Sequence, residues 1–102
     1  MKAATIFKAI AEPRRIELLQ ILRDRGELSV GELAERVSVT QQAVSLHLKV
    51  LQTAGLVEAR RDGTRHLYAV RYDGLVPAKE FLASFWSDKL KNLKALVEKK
   101  PR

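Results

Sequence analysis

Gln41, Gln42, Ser45 and Lys49 recur on one side of a short segment near the middle of the chain, TQQAVSLHLKVLQTAG. If that segment is helical, Val44, Leu48 and Leu51 share the opposite, buried face, and the amides, hydroxyl and ammonium point outward together. A glutamine amide donates and accepts at once, which matches an adenine edge in the major groove. Serine suits either a base or a phosphate oxygen, and lysine suits phosphate. No acidic residue occurs from position 38 to 57, so nothing on this stretch repels a polyanion. A polar helix face alone is an ordinary solvated surface, but a second group follows it: Arg60, Arg61 and Arg65 in LVEARRDGTRHLYAV. Val57 and Ala59 alternate with Glu58 and Arg60, and Asp62-Gly63 is a strong turn signal, so the segment reads as a β-hairpin with three guanidiniums clustered at its tip. Held there, they suit phosphates or a narrow minor groove.

The elements that must position these groups are legible on either side. Ser29 followed by Glu32 fits a capping box, and Val30, Leu33, Ala34 and Val37 supply the buried face of a short scaffold helix. Thr40 is the N-cap of the next helix and joins the candidate contact set, and Gly55 ends that helix. Helix, tight turn, helix and basic hairpin, in that order, form a winged helix-turn-helix, which places its second helix in the major groove and its wing alongside. The helix-turn-helix spans 29–53 and the wing 56–70. Upstream, AATIFKAIA spaces Ile6, Phe7 and Ile10 as one helical stripe over residues 1–11. Pro13 opens a second helix where its missing N–H costs nothing. Ile16, Leu18, Leu19, Ile21 and Leu22 make that helix the centre of the core, ended by Gly26. The fold class is mainly α with a small β-hairpin: about five helices plus a two-stranded wing, in a single domain over 1–102.

Length and composition agree with that reading. A chain of 102 residues has room for one modest core. Lysine and arginine number 19 against 12 acidic residues, a formal charge of +7 that favours a polyanionic partner. The absence of cysteine excludes disulfides, thiolate metal sites and thiol redox sensing. No signal peptide opens the sequence and no apolar run approaches the roughly 20 residues of a membrane span, so a cytoplasmic location is expected. Catalysis has no support: there is no Gly-rich phosphate loop, no cysteine nucleophile, and no serine, histidine and carboxylate in a recognisable motif. The competing reading is a winged-helix module that binds a protein, against which the polar face and arginine-rich wing tell.

Across residues 7–70, the runs FKAIAEPRRIELLQIL, ELSVGELAERV, TQQAVSLHLKVLQTAGLV and RRDGTRHLYAV resemble the ArsR/SmtB family of winged-helix transcriptional regulators. That resemblance implies a homodimer built by the first and last helices, repressing through a palindromic operator of double-stranded DNA. By the same similarity Gln41, Gln42 and Ser45 become base or phosphate contacts, and Arg60, Arg61 and Arg65 wing contacts. Leu46 stands where some members carry a polar contact, leaving either no base contact or an apolar one to a thymine methyl. Metal-sensing members place cysteines where this chain has Ser29 and Gly31. Towards the C-terminus Asp73, Glu80, Asp88 and Glu98 are too widely spaced to form a close ligand pair. No metal and no cofactor is therefore expected. His47 and His66 read as structural or DNA-proximal groups, and an unknown small-molecule or protein effector stays open.

From position 75 onward Leu82, Phe85, Trp86, Leu90, Leu93, Leu96 and Val97 recur at three- and four-residue steps, the seam of a helix that packs on another. With Ile6, Phe7 and Ile10 as counterpart, a two-fold dimer is expected across helices 1–11 and 74–98, its interface carried by Ile6, Phe7, Ile10, Leu82, Phe85, Trp86, Leu90 and Leu93. FWSDKLKNL resembles a subset of the family with a similar aromatic pair. The basic tail, six lysines and arginines from Lys89 to Arg102 against Glu98, serves either solubility or the phosphate footprint.

Overall fold

The computed structural model describes residues 2–86; Leu90, Leu93 and the rest of the expected C-terminal seam and basic tail lie outside them. Five α-helices enclose one core: α1 (Lys2–Ile10), α2 (Pro13–Arg25), α3 (Val30–Val37), α4 (Gln41–Thr53) and α5 (Val76–Ser84). Leu18 and Leu22 of α2 are fully buried against Leu33 and Val37 of α3, Val44, Leu48 and Leu51 of α4, and Leu56 and Val57 beyond it. Each such leucine contributes about 1.5–3 kcal/mol by leaving water, so α2 is the hub expected from its apolar circumference. Ile16, included in that circumference, instead lies exposed on the outer side of α2.

Local chemistry fixes the helix ends. Glu12 caps α2, its Oε2 accepting from the amides of Arg14 (2.8 Å) and Arg15 (3.1 Å), with Pro13 in the first turn. At α3 the capping box is complete: Glu32 N donates to Ser29 Oγ (3.2 Å), and Ser29 N donates to Glu32 Oε1 (2.9 Å). Ser38 ends α3 in the left-handed region at φ 55°, turning the chain in the few residues before α4 begins.

The two-stranded wing belongs to a three-stranded sheet. Strands β2 (Val57–Asp62) and β3 (Arg65–Val70) form the hairpin, and a two-residue β1 (Leu28–Ser29) adds to the outer edge of β3, giving the antiparallel order β1-β3-β2. Leu28 pairs with Tyr68 and Ser29 with Leu67. The capping geometry at Ser29 demands extended backbone, at φ −81° and ψ 167°, and that extension presents the edge that β3 uses. Two residues carry no periodicity that could have announced a strand.

A 3₁₀ turn at Tyr72–Leu75 precedes α5, so the helix expected from position 74 starts at Val76. Gly74 sets this entry. A Cβ there would stand 1.8 Å from the carbonyl oxygen of Gly55, so only glycine lets the turn lie against the end of α4. The regular part of α5 ends at Ser84, whose hydroxyl donates to the Phe81 carbonyl, and Phe85 and Trp86 follow in a turn.

Candidate nucleic-acid interface

Burial of Val44, Leu48 and Leu51 fixes the rotation of α4, and Gln41, Gln42, Ser45 and Lys49 are all exposed as that rotation requires. Together with Leu46 they line one shallow, open surface. Thr40 caps the helix by accepting the Ala43 amide at its Oγ1 (3.1 Å), which leaves its O–H available as a donor. The amide of Gln41 lies beside Gly31 at the start of α3. His47, on the flank of α4, faces α2: its Nδ1 is 3.4 Å from Arg15 Nη1 and its Nε2 is 4.0 Å from Glu12 Oε2. It therefore braces the outward helix against α2, the structural role open to it. His66 is exposed on the wing.

The three wing arginines do not form one cluster. Pleating places Arg60 and Arg61 on opposite faces of the hairpin. Arg60 makes a bidentate pair with Glu27, Nε to Oε2 at 2.6 Å and Nη2 to Oε1 at 2.8 Å. Arg65 donates from Nη2 to Glu32 Oε1 at 2.9 Å, while Arg61 has no carboxylate partner among the described residues. The hydrogen bonds from Arg60 hold the Glu27 carboxyl below the usual carboxylate range. Those from the Ser29 backbone and hydroxyl, followed by the charge of Arg65, do the same for Glu32. The tip itself is a Gly63-Thr64 loop with positive φ only at its first position, as a type II′ hairpin requires. In the sequence Glu32 reads only as a cap, and Glu27 carries no local signal of its role. Only the pairing of β1 with β3, invisible in the sequence, brings both carboxylates under the wing.

On the opposite side α1 packs against α5. Ile6, expected at a dimer interface, is 3% exposed and belongs to the chain's own core, so it offers a partner no surface. Phe7 and Ile10 are half-buried. Phe7, Phe81 and Phe85 form an edge-to-face ladder with centroids 5.7 and 5.1 Å apart, in which Phe81 is a member that the seam pattern had not singled out. Leu82, Phe85 and Trp86 are 44%, 61% and 42% exposed, an apolar band on one end of the molecule. Among the described residues no three histidine, aspartate or glutamate side chains gather as metal ligands. No described helix is long and apolar enough to cross a membrane.

Comparison with known proteins matches this arrangement. The family model described as "Bacterial regulatory protein, arsR family" covers residues 12–59. HTH-type transcriptional regulator Rv2034 of Mycobacterium tuberculosis is 39% identical over 92 residues, which are 90% of this chain and 85% of that protein. The chain belongs to the ArsR family. Transcriptional activator HlyU of Vibrio cholerae is 42% identical to this ArsR-family regulator over 69 residues, 68% of this chain and 63% of its own. The solution structure of a homodimeric winged helix-turn-helix DNA-binding domain from Mycobacterium bovis superimposes with a TM-score of 0.68 at 32% identity, covering 86% of this chain and 80% of that one. The chain is thus a winged helix-turn-helix DNA-binding domain of a transcriptional regulator.

Proposed function

We propose that this ArsR-family regulator acts in the cytoplasm as a homodimeric repressor that reads an inverted repeat in double-stranded DNA. The observation that carries the reading is the acid-free α4 face, on which Gln41, Gln42, Ser45 and Lys49 stand exposed while the helix is locked from behind by buried leucines. Two such helices related by a two-fold axis enter successive major grooves about 34 Å apart. Gln41, Gln42 and Ser45 then read bases, while Thr40, Lys49 and the wing arginines hold the phosphates. The exposed Leu82, Phe85 and Trp86, with Phe7 linked to them through Phe81, form the contact between copies together with Ile10 of α1. Repression follows from occlusion, since a dimer seated across a promoter excludes polymerase from the same base pairs. The relative named as an activator supports the opposite sign as the second reading.

Selection of bound fragments from a random duplex pool tests the recognition. The expected product is a repeat of two-fold symmetry with half-sites one helical turn apart; enrichment without symmetry, or none, overturns the assignment. A reporter placed behind the selected sequence reads the sign of control.

A further inference from the structure

A groove of about 580 Å³ runs between α1 and α4, bounded by Lys8 and Ala9 on one side, Leu46, Lys49 and Val50 on the other, and Arg15 at one end. Its surface is mostly apolar. Leu46 and Val50, 69% and 41% exposed, are large hydrophobic side chains left in the open on a helix whose core-facing positions are already filled. Among the described residues its ionisable side chains are all cations, Lys8, Arg15 and Lys49, and no carboxylate lines it. Arg15 is fixed in place by donating from Nε to the Ala9 carbonyl and by the contact of its Nη1 with His47. The nearby Glu12 carboxylate is turned towards the first amides of α2.

We infer that this groove binds an amphiphilic organic anion, a carboxylate carrying an apolar body of about ten carbon atoms, and that its occupation opposes DNA binding. The volume lies within the roughly 300–1,000 Å³ of small-molecule sites, which pair apolar walls with a few fixed polar groups. The apolar body covers Leu46 and Val50, and the carboxylate sits among the three cations. Lys49 is shared between this groove and the outward surface of Gln41, Gln42 and Ser45. An anion that engages its ammonium withdraws it from phosphate, so ligand and duplex weaken each other by the same factor. This second half rests on the DNA-binding reading above; the first half does not.

The test uses the full chain and three probes: decanoate, acetate as the anion without a body, and decyltrimethylammonium as the body with the opposite charge. Calorimetry and the methyl resonances of Leu46 and Val50, recorded without DNA, read binding. Decanoate alone is expected to bind and to shift both methyl groups. Lys8→Glu and Val50→Asp, both at exposed positions, are each expected to weaken it at least tenfold. Equal binding of acetate shows a simple ion site, and equal binding of the ammonium shows unspecific adsorption; either overturns the proposal. So does a groove closed by the second copy, seen as no decanoate binding together with a change in dimer dissociation in Val50→Asp. On the selected duplex, saturating decanoate is expected to lower affinity about fivefold or more, with a smaller ratio in Lys8→Glu. Unchanged DNA affinity with decanoate bound overturns the coupling. A chain that binds decanoate and no duplex at all overturns the DNA-binding reading instead.

Discussion

Arg65, on the returning strand of the wing, donates to the same Glu32 oxygen that accepts the Ser29 amide. One carboxylate therefore closes the capping box of α3 and tethers the wing. Because β1 ends at Ser29 and pairs with β3, the start of the scaffold helix and the pose of the wing are set by the same few atoms.

This sharing separates two substitutions. Glu32→Gln keeps an oxygen for the Ser29 amide and loses only the charge facing Arg65, an exposed pair that contributes little to stability. Glu32→Ala removes the box as well, leaving the Ser29 amide without its acceptor, and is expected to lower the denaturation midpoint further than Glu32→Gln does. Urea denaturation of the two variants reads the difference, and equal losses show that the box contributes nothing.

Acid dependence follows from the same groups. The carboxyls of Glu27, Glu32 and Asp73 are all held below their ordinary range, by Arg60, by Ser29 and by Arg71 respectively. A lowered folded-state value contributes stability that is present above the unfolded value, about 4.3 for glutamate and 3.9 for aspartate, and is lost as pH falls through the folded one. The denaturation midpoint is expected to fall on acidification below about pH 4.3, and less steeply in Glu27→Gln/Glu32→Gln. Parallel acid limbs show that these pairs carry no linkage.

In the wing, Arg60 must give up Glu27 to reach a phosphate, whereas Arg61 gives up nothing. Arg61→Ala is expected to weaken every duplex alike and to flatten the logarithmic salt dependence by about 0.9. Glu27→Gln is expected to tighten binding only modestly, since the exposed pair it removes holds Arg60 weakly. Anisotropy titrations across salt concentrations check both, and weaker binding by Glu27→Gln shows that the pair positions the wing.

Base reading shows itself as a difference between duplexes. Gln41→Ala or Gln42→Ala is expected to cost about 1–3 kcal/mol on the selected site and little on random DNA. Equal losses on both place that glutamine on a phosphate.

Both helices of the motif, their caps and the outward face of α4 were legible in the sequence because each rests on local periodicity and side-chain-to-backbone bonds a few residues apart. Ser29 with Glu32 and Thr40 with Ala43 are both of that kind. The wing was legible as a hairpin but not as a sheet, because β1 is two residues long and owes its existence to β3, some 40 residues away. The scattering of the three arginines has the same origin: Glu27 and Glu32 lie 33 residues from their partners. Ile6 was misplaced because periodicity names an apolar face without saying whether its own chain or a second copy covers it.

The last contrast separates those two destinations by experiment. Ile6 is buried in the core, so Ile6→Ser is expected to cost several kcal/mol, about the 2–5 kcal/mol of comparable core truncations, and to lower the melting temperature sharply. Phe85 and Leu82 are exposed within one chain and stand outside its buried core, so Leu82→Ser/Phe85→Ser removes only the Phe81–Phe85 ring contact from the monomer and is expected to leave helical content unchanged. Its cost falls on association, where apolar area loses about 25 cal/mol for each Å² no longer buried. Sedimentation equilibrium is expected to show a dimer weakened at least tenfold. Affinity for the two-fold site then falls with it while a single half-site is bound as before, because linking two half-sites gains strength only when both copies travel together. A double variant that stays dimeric at the wild-type concentration dependence removes this band from the interface.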